Sequence, residues 1–169
     1  VIHQEPHCHE RFHPRRGCPF TMSSAPHLPD LQHNGRAERA RPLLAVDRAL
    51  GELRRGGLAV IGEPGSGRYV LVQAAEATTP HSLSQLADFA GSTPVLAITR
   101  RRADALRLDG ARGVVAALQV PDGMAAQEVR DIADPLSTIS FRMPPFANPD
   151  AETERCLQAA IEITKLARL

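Results

Sequence analysis

The 169-residue sequence has no tryptophan and a single tyrosine, so its interior must be built from Leu, Val, Ile and Ala, with few aromatic platforms for stacking a base or a sugar ring. It has three cysteines, Cys8, Cys18 and Cys156, an odd count without paired spacing, which argues against the disulfide framework of a secreted domain. Long apolar runs are missing: none approaches the roughly 20 residues that a bilayer-spanning helix needs, and the N-terminus lacks the basic-then-apolar layout of a secretory signal. An excess of either charge is missing too. The signs are interspersed and leave a formal net charge of +1, so neither nucleic acid nor an anionic membrane surface is an expected partner. The expected compartment is the cytoplasm.

What is present is the composition of one globular domain, with 43% hydrophobic and 23% charged residues. The first forty or so residues stand apart. They hold six of the seven histidines and two of the three cysteines, scattered among Pro, Arg and Ser without periodicity. Residues 1–42 therefore read as a disordered tail, and residues 43–169 as the domain. Because Met22 is followed by Ser-Ser-Ala-Pro, as at a natural N-terminus, residues 1–21 read as an extension that is not native.

From Leu44 the pattern is regular. Val46, Ala49, Leu50 and Leu53 recur at helical spacing, and Gly56-Gly57 stops that helix. Leu58–Ile61 and Tyr69–Ala75 read as strands joined by a glycine-rich turn. Thr79-Pro80 opens a helix with Leu83, Leu86, Ala87 and Phe89 on its buried face and Gly91 at its end. Strand Val95–Ile98, a short helix capped by Thr99, strand Gly113–Val120 and a helix over Met124–Ala133 follow. A last helix starts at Asp150 and runs to Leu169 without a stop signal, which suggests a domain cut at its C-terminus. The alternation predicts an α/β domain, with α+β as the alternative: one layered unit with a mixed sheet flanked by helices.

The motif closest to chemistry is Gly62-Glu63-Pro64-Gly65-Ser66-Gly67-Arg68, whose glycine spacing matches a phosphate-binding loop. Such a loop needs Lys at the position of Arg68, Ser or Thr at Tyr69, and a following helix whose N–H groups face the phosphate. Here Tyr69-Val70-Leu71-Val72 reads as a strand, so a turn is expected. The tail residues His3, His7, Cys8, His9, His13 and Cys18 are of zinc-binding type but lack the spacing of a zinc site. His81 reads as an exposed helix residue, Cys156 as a small, partly buried residue rather than a nucleophile, and Glu76 as a solvated residue at a strand end. Arg100-Arg101-Arg102, at a helix start after a strand, are candidates for an anion contact, against the plainer reading of a solvated face.

These segments resemble a known family. Val46-Asp47-Arg48-Ala49-Leu50 through Gly56, Leu71-Val72-Gln73-Ala74-Ala75-Glu76-Ala77-Thr78-Thr79-Pro80, Val95-Leu96-Ala97-Ile98-Thr99 with Arg102–Leu106, and the ending Ala159–Leu169 are similar to 3,4-dihydroxy-2-butanone 4-phosphate synthase. That family acts on ribulose 5-phosphate in riboflavin synthesis. It works through an acidic loop, Asp-Asp-Glu-Asp-Arg-Glu-Asn-Glu-Gly-Asp, and a Gly-His-Thr-Glu segment before the last helix. Here Gly62, Glu63, Gly65, Gly67 and Arg68 occupy the loop with one carboxylate, and Thr153-Glu154 echo the second segment without its histidine. Magnesium binding and enolisation need more placed oxygens, acids and bases than that. The resemblance thus implies a shortened, synthase-like domain without catalytic residues, metal or cofactor of its own, as found ahead of GTP cyclohydrolase II. Its expected partners are a second copy or a C-terminal cyclohydrolase domain. The alternatives are an active phosphosugar lyase using Glu63, Glu76, Arg100 or His81, and a plain interaction module presenting the apolar last helix.

Overall fold

The computed structural model describes residues 2–4 and 35–169, except Glu63, Pro64, Ser66 and Arg112, and describes side chains from Pro42 onward. In chain order the elements are β1 (Ile2–Gln4), α1 (Gly35–Arg54), β2 (Ala59–Gly62), β3 (Tyr69–Gln73), a 3-10 turn (Ala75–Ala77), α2 (Pro80–Ala90), β4 (Val95–Thr99), α3 (Arg100–Ala105), β5 (Val115–Gln119), α4 (Ala126–Ala133) and α5 (Ala151–Ala167). One five-stranded sheet runs in the order β2-β3-β1-β4-β5.

Helices cover both faces of the sheet. Because side chains alternate along a strand, Ala59, Val70, Val72, Ala97, Val115 and Ala117 face Leu53 of α1 and Cys156, Leu157, Ala160 and Ile161 of α5. Leu96, Ile98, Ala116 and Leu118 face Leu86 of α2, Ala103 of α3, and Val129 and Ile132 of α4. This is the layered α/β domain expected, with one refinement. Every strand pairing described is antiparallel rather than mixed, which is the α+β form of the fold.

Local chemistry sets the boundaries. Thr79 caps α2 by accepting from the Ser82 N–H at 3.0 Å, Ser82 returns the bond to the Thr79 N–H, Pro80 takes the first turn, and Gly91 ends the helix at φ +64°. Thr99 caps α3 by accepting from the Arg102 N–H, and Asp150 caps α5 by accepting from the Thr153 N–H. Phe89 departs from expectation and is 65% exposed. Only the stripe Ser82, Leu86 and Ala90 is buried, and Phe89 lies off it.

Three further expectations are corrected or limited. The tail over 1–42 contains β1 and the start of α1; Ala37, Ala40 and the intervening Arg and Glu residues favour helix by propensity although they carry no apolar stripe. The rest of that tail, and with it most of the expected 1–21 extension, lies outside the described residues. The last helix does stop: Arg168 takes the left-handed conformation at φ +61°, its N–H bonds the Lys165 carbonyl, and Leu169 bonds back to Thr164. Arg54 of α1 satisfies the remaining carbonyls, donating to Ala167 at 3.2 Å and Leu166 at 3.3 Å.

Candidate functional site

Two places concentrate polar groups, one at each end of β3. At its start, Gly62 pairs with Tyr69, so the glycine-rich segment closes an antiparallel hairpin and is followed by a strand, as the turn reading requires. The helix that a phosphate-binding loop needs directly after it is replaced by β3. Gly65 and Gly67 take φ values of +85° and +70°, and a Cβ at either would meet nothing within 4 Å. The glycines are there for backbone conformation, not for close approach to a packed neighbour. Glu63 lies outside the described residues.

Arg68, the last residue of the degenerate loop, reaches across to the start of α5. Its guanidinium lies 2.7 Å from Asp150 Oδ2 and 3.8 Å from Glu152 Oε2. The fold therefore brings together the two segments in which the resemblance locates catalytic groups, and joins them by an ion pair. Asp150 also accepts from the Thr153 N–H at 2.8 Å as the cap of α5. The hydrogen bonds from Thr153, assisted by the charge of Arg68, hold its carboxyl below the ordinary aspartate range. A magnesium ion requires several oxygen ligands in near-octahedral array. Here the two carboxylates face a guanidinium instead, so the described residues do not fit that ion.

At the other end of β3 lies a cleft of about 580 Å³. Its walls are the segment Ala74–Glu76, the β4 segment Ala97–Thr99, the α4 region from Gln127 to Ser137, and Ile161, Thr164, Lys165 and Leu169 of α5 and its end. Its charged groups are mostly engaged within the fold. Arg102 donates to the carbonyls of Ile132 at 2.7 Å and Asp131 at 3.1 Å, closing the C-terminal end of α4. Arg130 donates to the Thr78 carbonyl and to Gln127 Oε1. Asp131 accepts from Gln127 at 2.7 Å, Asp134 accepts from the Leu136 N–H at 2.9 Å, and Lys165 pairs with Glu162 at 2.6 Å.

Of the three arginines proposed to hold an anion, only Arg102 lines this cleft, and it is bound to carbonyls. Arg100 pairs with Asp104 at 2.7 Å and donates to the Ala111 carbonyl at 2.8 Å, while Arg101 is exposed. The run is thus divided among three environments and does not form one cradle. Of Glu63, Glu76, Arg100 and His81, the cleft takes Glu76; His81 is an exposed residue of α2. Cys156 is buried at 3% exposure in the core. The side chains of the His3 to Cys18 cluster lie outside the described ones, and among the described residues no three His, Cys, Asp or Glu groups assemble for a metal.

Sequence reasoning did not find Arg130 or the inward role of Arg102. Arg130 bonds a carbonyl 52 positions away and Arg102 one 30 positions away, separations at which no local pattern exists. Among the described residues, two buried side-chain polar atoms, Gln73 Oε1 and Thr78 Oγ1, have no hydrogen-bond partner. Gln73 does donate its amide to the Gly56 carbonyl at 2.8 Å, which ties the end of β3 to the end of α1.

No protein-family model matches the chain. A GTP cyclohydrolase-2 from Azospirillum brasilense is 36% identical to it over 126 residues, which is 74% of this chain and 32% of that protein. The chain therefore spans about a third of the length of its relative. Among the described residues no helix is long and apolar enough to cross a membrane.

Proposed function

We propose that this chain is a supporting, non-catalytic domain of a GTP cyclohydrolase II-type protein of riboflavin biosynthesis. The observation that carries the reading is the 36% identity, over 126 residues, to a GTP cyclohydrolase-2 of which that segment makes up 32%. The state of the two polar regions supports it. Where the synthase family has an acidic loop beside a histidine-bearing segment, this chain has Arg68 paired with Asp150 and Glu152, and the cleft's arginines serve backbone carbonyls. Enolising a sugar phosphate needs an acid and a base at the reacting carbons, whereas Arg68, Asp150, Glu152, Arg102 and Arg130 are held in other contacts and Glu76 is the carboxylate left in the cleft without a described partner.

A second copy of the chain, or the cyclohydrolase region itself, is the partner in this reading. The apolar face of α5 does not serve that contact, because Cys156, Leu157, Ala160 and Ile161 are packed in the core. Apolar side chains stand out instead on α1, where Leu43, Leu44 and Val46 are 69%, 54% and 40% exposed. The test replaces the matched segment of the Azospirillum brasilense enzyme with this chain and, in parallel, deletes it. Retained GTP turnover and oligomeric mass in the swap, with loss of either on deletion, is the expected result. Full activity and unchanged mass after deletion would contradict a supporting role.

A further inference from the structure

The two edges of the sheet are finished differently. Beyond β5 lies the segment around Phe146: Gln119 N–H donates to the Pro145 carbonyl and Ala147 N–H to the Ala117 carbonyl, both at 2.9 Å. β2 ends the sheet on the other side, and among the described residues β3 is its one strand neighbour. A bare edge offers backbone N–H and C=O groups to another strand, and natural sheets usually guard it with charge, proline or a bulge. Here the edge reads Ala59-Val60-Ile61-Gly62, with no charged side chain or proline, in unbroken register with β3.

Apolar groups flank this edge on both faces of the sheet. On one face α1 packs against β2 and α5, and its side chains from Pro42 to Arg48 are all exposed, Leu43, Leu44 and Val46 among them. Because Ala59 and Ile61 face α1, Val60 faces the other way. On that second face α2 packs on β1 and α4 on the 3-10 turn, and Val60 and Tyr69 are left 65% and 53% exposed. The Tyr69 ring lies over Gly62, on the edge strand itself, since a Cβ there would stand 2.5 Å from its Cδ1. The one tyrosine of the sequence is thus spent on an open edge, where an aromatic ring suits an interface better than solvent.

A strand paired antiparallel with its own copy, about a two-fold axis perpendicular to the sheet, keeps every side chain on its face. Centred on Val60, that pairing sets Ala59 opposite the partner's Ile61 on the α1 side, and Val60 opposite the partner's Val60 on the side of the two tyrosine rings. We propose that the edge of β2 is the surface through which two copies of this chain associate, joining their sheets into one. Four residues of ladder form too few hydrogen bonds to hold two chains by themselves, so α1 against its copy on one face, and Val60 and Tyr69 against theirs on the other, supply the rest. The inference rests on the reading of the chain as a supporting domain and commits its partner to a second copy.

Sedimentation equilibrium of the full chain from micromolar to millimolar concentration should show a monomer in equilibrium with a dimer. Val60→Arg sets two like charges opposite each other across the axis and should weaken dimerisation by about a hundredfold. Leu136→Arg, in the loop after α4 at a position 91% exposed, should leave it unchanged. In the native chain, without any substitution, exchange of at least one β2 amide should slow by about tenfold or more from dilute to concentrated samples. A chain that stays monomeric at millimolar concentration, a dimer that Val60→Arg leaves intact, or β2 amides indifferent to concentration would overturn the proposal. The domain swap reads the supporting role separately: a domain shown to be needed, in a chain that stays monomeric, refutes this interface and leaves the cyclohydrolase region as the partner.

Discussion

The two ends of β3 make opposite use of arginine. At the start, Arg68 meets Asp150 and Glu152 at the surface, in a trio whose side chains are 32%, 51% and 44% exposed. At the end, Arg102 and Arg130 reach inward and donate to backbone carbonyls of α4 and of the segment before α2. An exposed ion pair is weakened by water and salt, whereas a half-buried carbonyl at a helix end loses a charged donor that water replaces only in part. The hairpin end is thus locally replaceable, and the cleft end is built into the fold.

The largest effect that would sharpen this contrast is expected for Arg102→Ala. It leaves the carbonyls of Asp131 and Ile132 without their donor and should cost about 2–3 kcal/mol in chemical denaturation. A loss below about 0.5 kcal/mol would erase the difference between the two ends. Next comes Asp150→Ala, which removes the cap of α5 and should cost about 1 kcal/mol. Gly67→Ala should cost about the same, from backbone strain at φ +70° alone, because no neighbouring atom stands in the way of a Cβ. Arg68→Ala should be the smallest, at most about 1 kcal/mol and less in high salt, measured by thermal unfolding at two ionic strengths.

The same end of β3 carries a pH signature. Asp150 titrates below its ordinary range in the folded chain, chiefly through its hydrogen bonds from Thr153. A carboxyl whose folded pKa is depressed stabilises the fold above its unfolded pKa and loses that contribution as pH falls through the folded value. Asp150→Asn should therefore narrow the stability difference from the native chain between neutral pH and acid conditions below the usual aspartate range. An identical gap at both pH values would show that the carboxylate charge is not what Thr153 and Arg68 hold.

Much of the secondary structure was legible because it is written in short-range chemistry. Thr79 with Pro80, Thr99 and Asp150 announce helix starts through hydroxyl or carboxylate caps, and the hairpin after Gly62 follows from Tyr69-Val70-Leu71-Val72 favouring a strand over a helix. Less legible were features that depend on distant partners. The position of β1 between β3 and β4 joins residues 2–4 to residues 71–73 and 95–96, and α1 begins in a stretch without an apolar stripe. The cleft was beyond reach for the same reason. Glu76 is exposed just after β3, in agreement with its reading as a solvated strand-end residue, but its place at the cleft, and the difference between Arg102 and the two arginines before it, follow only from the packing of α4 against the segment before α2.

The central claim is that the chain supports chemistry done elsewhere and performs none on a sugar phosphate itself. The most direct measurement incubates the purified chain with ribulose 5-phosphate and magnesium and follows formation of 3,4-dihydroxy-2-butanone 4-phosphate. The account predicts a rate indistinguishable from the reaction without protein. Turnover above that control, abolished by Glu76→Gln in the cleft, would contradict it.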